Sequence, residues 1–381
     1  MRPYPSMSWL KDVLRAAEVV RTGKFKAVTH GGVAHVDDTL AAALLHRAGA
    51  EALYRLNTAE EIARLDGDVV VFDIGDYFQL PERFVVLDHH GVSDPSEEPS
   101  SVIQVALAVG ARPSPLVATL VHWVDLYDRY GSEVKKWAGP YGNSINHGVV
   151  KYFGDATPAG LVKDTKFLEL LAEAFYSRSE FDLRDFAEAY KIAEKLSFTD
   201  MAERYPRTFQ NLRLMLAASK DPIAAATGRE AQETGFGLDF GAYALLAAPE
   251  LERYVLEGLE RYFAEARRAV EIVSQGRYWK VVSDCLVAFA VEDYVAPTPL
   301  WNALIDHGVL SLEQRAVVVV KDRRTPGAYT AWRPDRFASV IDFRKLGGSR
   351  VVFKHATGFV AVVRGENAED VATYVLQQLE C

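Results

Sequence analysis

Short apolar runs alternate with helix-period segments over the first ninety residues of the chain. Residues 25–29, 52–56, 69–74 and 84–87 read as strands, whereas 37–48 is Ala/Leu-rich and helical and 59–65 is a shorter helix. The strand runs are nearly continuous in Val, Leu, Phe and Ala rather than alternating with polar residues. That pattern belongs to a parallel sheet covered on both faces. Residues 95–99 are polar and turn-like, and 115–127 reads as a helix with one apolar face. Beyond residue 157 the periodicity is helical for a long stretch, including 167–174 and 183–196. A longer helix is expected over 249–275, with Leu251, Val255, Leu259, Tyr262 and Ala266 on one face and Gly276 as its stop. Gly258 interrupts that helix without breaking its period. Afterwards the pattern becomes β-rich: 279–282, 286–291, 316–320, 329–332, 351–353 and 360–363. The fold class expected is α/β. A first domain over 1–248 holds a mainly parallel sheet flanked by helices, with a helical extension. A connecting helix follows over 249–275, then a smaller α/β domain over 276–381.

The polar residues that interrupt this pattern are unusual in kind. Asp88-His89-His90 follows 84–87, Thr29-His30-Gly31-Gly32-Val33-Ala34-His35-Val36-Asp37-Asp38 follows the first strand, and Asp73-Ile74-Gly75-Asp76 follows Val71-Phe72. In open parallel sheets ligands sit beyond the carboxyl ends of the strands, and these clusters occupy such ends. Imidazoles and carboxylates converging there make poor core and a good site for more than one divalent cation. His30, His35 and Asp37 are expected as ligands held between a strand and a helix N-terminus, which also favours an anionic substrate. Asp38 is expected to cap that helix rather than bind metal, and Asp76 to serve a turn. Asp73 offers two oxygens and is expected to bridge two ions. His89 is the expected third-cluster ligand, with Asp88 as its orienting acceptor and His90 directed to substrate phosphate. Nitrogen and carboxylate donors without thiolate suit Mn²⁺, Mg²⁺, Fe²⁺ or Zn²⁺, Mn²⁺ first among them. Two such ions can share a hydroxide nucleophile and stabilise a leaving oxygen in phosphoryl displacement.

Bulk properties narrow the setting. With 381 residues, 49% hydrophobic and 25% charged, the chain has the composition of a two-domain globular protein. No apolar stretch approaches membrane-spanning length, and the first residues carry charges where a signal peptide needs its apolar core. A cytoplasmic setting is therefore expected. Cys285 and Cys381 are the only cysteines, which excludes a disulfide framework and a cysteine-rich zinc site. Cys285 is expected as a small buried hydrophobe. Net charge is −9, yet residues 321–364 hold ten bases against three acids, +7 in one segment and −16 elsewhere. Such a segment can steer a phosphate-bearing ligand. His46, His122, His147 and His307 lack carboxylate clusters and are expected to be structural.

The ordered motifs resemble the DHH phosphoesterase superfamily and, within it, the MYG-type (melanocyte proliferating gene) exonuclease family. Residues 29–38 look like that family's first element, Val71-Phe72-Asp73 like the second, and Asp88-His89-His90 is the eponymous third. Val124-Asp125-Leu126-Tyr127-Asp128 resembles the fourth, although Arg129-Tyr130-Gly131 replaces the usual sequel and leaves the choice between Asp125 and Asp128 open. Val352-Phe353-Lys354-His355-Ala356-Thr357-Gly358-Phe359 looks like the family's C-terminal element. The resemblance spans residues 25–364. It implies a DHH-type domain followed by a DHHA-type domain, with the active cleft between them. It implies metal ligation by His30, His35, Asp37, Asp73, His89 and one of Asp125 or Asp128. Substrate phosphate would meet His90, and in the second domain His355, Gly358 and Arg344 or Lys345. The function expected is two-metal hydrolysis of single-stranded RNA, DNA or short oligonucleotides, in the manner of an RNA exonuclease. The rivals are a phosphohydrolase for pyrophosphate, polyphosphate or a cyclic dinucleotide, and an inactive binding protein of the same fold. Homodimer formation is left open.

Overall fold

The computed structural model describes residues 8–74, 80–90, 94, 96–131, 134, 145–153, 160–220, 239–355 and 358–379. Asp76, Ala356, Thr357 and Cys381 lie outside the described residues. Two compact units are present, Met1–Ser197 with Leu214–Glu260, and Phe198–Arg213 with Arg261–Cys381. The division runs through the long helix expected over 249–275 rather than at either of its ends.

In the first unit, α1 (Ser8–Thr22), β1 (Phe25–His30), α2 (Val36–Arg47), β2 (Ala52–Leu56), α3 (Ala59–Ala63), β3 (Asp68–Phe72) and β4 (Phe84–Leu87) build the sheet layer. The strand order is β2-β1-β3-β4 and every neighbouring pair is parallel, as the unbroken apolar runs predict. Val28, Val69 and Val71 share one face with Ile62 of α3 and Phe84 in a common apolar cluster. Ala27, Val70 and Phe72 fill the other face, all at 0% exposure. Burying each such valine or phenylalanine contributes about 1.5–3 kcal/mol. Helix α2 is apolar around its whole circumference from Leu40 to Leu45 and buried throughout, as a helix covered on all sides must be.

The surrounding helices are α4 (Ser101–Ala108), α5 (Pro115–Tyr130), α6 (Asn146–Phe153), α7 (Lys166–Tyr176) and α8 (Leu183–Tyr190). The helix expected over 183–196 tightens after Tyr190 into a 3₁₀ segment, Lys191–Leu196. Further along are α9 (Thr199–Arg204), α10 (Gln210–Lys220), α11 (Phe240–Ala247) and α12 (Glu252–Ser274).

The second unit carries a mixed six-stranded sheet of β5 (Trp279–Val282), β6 (Val287–Val291), β7 (Ala316–Lys321), β8 (Ala328–Trp332), β9 (Val351–Lys354) and β10 (Val360–Arg364). Their order is β5-β6-β7-β8-β10-β9. Only the β6–β7 pair is parallel, joined by the crossover helix α13 (Pro297–Asp306), while α14 (Ala368–Gln378) packs across β5 to β8. Cys285 departs from expectation. It lies half-buried in the turn between β5 and β6 and is disulfide-bonded rather than a buried free thiol. Among the described residues no helix is long and apolar enough to cross a membrane.

Gly258 has a clear reason for interrupting α12. A Cβ there would sit 1.6 Å from the Gly148 carbonyl oxygen, so α6 and α12 meet backbone to backbone. Gly258→Ala is expected to lower stability by about 2–3 kcal/mol. It should shift the urea midpoint without changing the slope; an unshifted midpoint would show that the helices do not approach this closely.

Candidate metal centre

Strand register decides which polar residues meet. Val28 pairs with Val71 and Phe72 with Leu87, so one or two residues further on His30, Asp73 and Asp88 emerge side by side at the carboxyl edge. Asp73 leaves β3 in a left-handed conformation, φ 57°, which a short polar side chain tolerates better than most. Its amide donates to the Leu87 carbonyl at 3.2 Å, and Ser101 Oγ donates to Asp73 Oδ1 at 3.4 Å. His30 Nδ1 lies 3.0 Å from the Gly31 carbonyl, which can only accept. Nδ1 therefore carries the proton. The unprotonated Nε2 faces Asp73 Oδ2 at 3.2 Å and Asp38 Oδ2 at 3.4 Å.

His35 stands at the N-terminus of α2, its amide donating to Asp38 Oδ1 at 2.7 Å. Its ring lies 5.3 Å from that of His30, and its Nδ1 is 3.9 Å from Asp128 Oδ1. His89 Nε2 is 3.0 Å from Asp128 Oδ2. Three overlapping groups result, each with ligand atoms within 4.8 Å of one another: His30, His35 and Asp73; His35, Asp37 and Asp128; Asp73, Asp88, His89 and His90.

The electrostatics of this arrangement are unfavourable as it stands. Both carboxylate oxygens of Asp37, Asp73 Oδ2, Asp128 Oδ2 and His89 Nδ1 are buried without an aligned hydrogen bond. Burial, then repulsion from Asp128, pushes Asp37 well above the usual carboxylate range. Burial, then Asp37 and Asp128, does the same to Asp73. Burial also works against the Asp128 anion, but His89 beside it, with His35 and His90, outweighs that and holds its pKa low. Burial, with His35 and Arg55 nearby, keeps His30 neutral by lowering its pKa well below the imidazole range. Neutral imidazole and orphaned carboxylate oxygens are the donor set that divalent cations take. The residues fit such ions.

The two aspartates left open by the sequence are told apart by their partners. Asp125 accepts from Ser100 N at 2.8 Å and, in a fork, from Arg129 Nε at 2.9 Å and Nη2 at 2.6 Å. It ties α4 to α5 and stands outside the cluster, whereas Asp128 faces it. Asp38 caps α2 as expected, with its second oxygen toward His30. Asp88 does not orient His89, whose Nδ1 is 4.0 Å away. It accepts from His90 Nδ1 at 2.6 Å, so the side chain it fixes is His90. Gln104 was not singled out by the motifs. Its Nε2 donates to the Asp88 and Pro99 carbonyls at 3.0 and 2.8 Å and so holds the loop. Only its helical register beneath that loop signals this role.

In the second unit Arg344 is exposed but held in a fork by Asp342, Nε at 2.9 Å and Nη2 at 2.8 Å. Lys345 is exposed and His355 half-buried. Gly358 adopts φ 69°, and a Cβ there would lie 2.1 Å from Asp342 Oδ1. A separate cavity of about 760 Å³ in this unit is lined by Glu265, Arg267, Arg268, Glu271, Tyr294 and Arg323; it contains none of the motif residues. His122 is exposed, and His307 stacks on Tyr205 at 5.2 Å.

No family model matches the sequence, and no curated protein matches it. Among solved structures the chain is similar to PggH, a pGpG-specific phosphodiesterase from Vibrio cholerae, at 12% identity and TM-score 0.37, covering 93% of this chain and 98% of that one. It is also similar to RecJ in complex with Mn²⁺ from Thermus thermophilus, at 13% identity and TM-score 0.37, covering 99% of this chain but 55% of that one. An exonuclease RecJ bound to manganese gives 13% identity and TM-score 0.35, with 97% and 93% covered. Likenesses of this size assign no activity.

Two outcomes follow from the electrostatics. The raised pKa of Asp73 means that, without metal, the folded state holds a proton the unfolded state releases above pH ~4. That contribution is present in acid and is lost as pH rises through the folded value. Asp73→Asn keeps the left-handed backbone and removes the charge. In metal-free buffer it is expected to melt above wild type at pH 8, by about 2–4 °C per kcal/mol relieved, with the gap closing toward pH 4. Saturating Mn²⁺ should reverse the order, and identical melting at both pH values would refute the repulsion. Separately, Asp128→Ala should weaken Mn²⁺ binding by more than the ~10–100-fold typical of losing a supporting residue. Asp125→Ala should lower the melting temperature and leave binding within a few-fold, both read by calorimetry.

Proposed function

We propose that this chain is a metal-dependent phosphoesterase of the DHH type, acting on phosphodiester bonds of single-stranded nucleic acid or short oligonucleotides, RNA foremost. The observation that carries the reading is the set of buried carboxylates of Asp37, Asp73 and Asp128 packed among His30, His35 and His89, with both Asp37 oxygens and Asp73 Oδ2 unpartnered. These six residues would hold two divalent cations, Mn²⁺ first, with Asp73 shared between them. Such ions supply Lewis acidity toward a phosphoryl oxygen and a readily ionised water at neutral pH.

The protein's own groups do the rest. His90 Nδ1 is committed to Asp88, so Nε2 is the atom that meets substrate phosphate. The N-terminus of α2 adds its positive end to the same edge and favours an anion there. Leu87, Phe72 and Val71, all fully buried, form a dry floor beneath the acids, which strengthens every charge interaction above it. In the second unit Lys345, His355 and Arg344 are the residues proposed to take substrate phosphate, with Gly358 leaving room for the Asp342 turn that presents Arg344.

The test is direct. Purified full-length protein with Mn²⁺ is expected to release mononucleotides from end-labelled single-stranded RNA, to lose that activity on chelation and to regain it on Mn²⁺ addition. Hydrolysis of pyrophosphate or a cyclic dinucleotide alone would move the reading to a small-molecule phosphohydrolase. Tight Mn²⁺ binding with none of these substrates cleaved would leave a binding protein.

A further inference from the structure

A buried arginine lies behind the acid cluster, in a strand that none of the motifs includes. Arg55 of β2 has a side chain at 0% exposure. Its guanidinium spreads over three backbone carbonyls: Nε to His30 at 3.1 Å, Nη2 to Gly32 at 3.2 Å and Nη1 to Phe153 at 2.8 Å. Nη2 also stands 3.9 Å from Asp38 Oδ2, and the group lies 4.7 Å from the centre of the Phe153 ring. The same stretch of chain is stitched from the other side, Gly31 donating to the Leu56 carbonyl at 3.0 Å.

Taking a guanidinium wholly out of water costs several kcal/mol unless its donors are met. Here two of them are met by the loop that carries the first-motif histidine and a third by the carbonyl that ends α6. A fold needing only an apolar plug at this point of β2 would be served as well by leucine or methionine. What a fork of donors adds is a fixed position for two carbonyls two residues apart, and with them the direction of the His30 ring. It also places a permanent positive charge against the one acid that caps α2.

We infer that Arg55 is a positioning residue of the metal centre. By clamping the His30 and Gly32 carbonyls and facing Asp38, it sets the loop from His30 to His35 in metal-binding geometry before any ion arrives. It touches neither ion nor substrate, and the inference rests on the proposal that His30 is a ligand.

The experiment compares Arg55→Lys and Arg55→Gln with His30→Ala in the full chain. Lysine keeps the charge but has no fork; glutamine keeps an amide donor without the charge. Mn²⁺ binding is read by calorimetry and electron paramagnetic resonance, alongside melting curves of the metal-free proteins and steady-state kinetics. Arg55→Lys is expected to weaken Mn²⁺ binding about 10–100-fold and to change the Mn²⁺ resonance. It should recover most of kcat at saturating Mn²⁺ with KM unchanged. Arg55→Gln, available should the lysine variant not fold, is expected to show the same loss. Variants that melt lower yet bind Mn²⁺ as wild type does would overturn the inference and leave Arg55 a stabilising residue only. If His30→Ala loses Mn²⁺ while both Arg55 variants keep it, the inference fails and the metal-centre reading stands. Wild-type binding by His30→Ala would remove that reading, and this inference with it.

Discussion

Repulsion among carboxylates held away from water is the constraint on which the first unit turns. Asp37, Asp38, Asp73 and Asp88 are each 3% exposed or less, and Asp128 joins them at one sheet edge. Charges this close in a medium of reduced dielectric oppose folding. The parallel sheet beneath makes the arrangement tolerable. Its valine-rich strands are locked in register on both faces, so the polar ends are held where the backbone puts them. Local strain of this kind survives only where the surroundings over-determine it, and the left-handed Asp73 is another instance.

One residue type serves several ends here, and its partners decide which. Asp125 and Asp128 stand one turn apart on α5, yet the first is saturated by Arg129 and the Ser100 amide while the second faces the imidazoles. Asp37 and Asp38 are adjacent. One leaves both oxygens unpartnered; the other gives an oxygen to the α2 N-terminus. Asp88 takes up His90 and the loop amides. Hydrogen-bond saturation separates the acids that support the fold from those available to an ion.

The same distinction tempers the basic segment of the second unit. Formal charge over residues 321–364 is +7, but many of its cations are engaged within the unit. Arg350 pairs with Asp370 and Arg323 with Glu265, two acids outside the counted segment. Lys354 donates to the Arg344 and Leu346 carbonyls, both at 3.0 Å, and Arg336 to that of Leu312 at 2.7 Å. A charge excess counted along the chain therefore overstates the field that a phosphate would meet.

Period and punctuation in the sequence determined the strands, their parallel pairing and the row of His and Asp at their ends. These features depend on side chains close in the chain, where alternation between faces and the residue following an apolar run carry the information. His30, Asp73 and His89 could be named together for that reason. Tertiary structure decided which residues satisfy one another across distance: Asp125 on the Ser100 amide while Asp128 faces His89, His90 rather than His89 on Asp88, Arg55 under the first loop, and Gly148 against Gly258. Each of those choices is a competition for a partner brought close by the fold, and local spacing holds no record of who wins it.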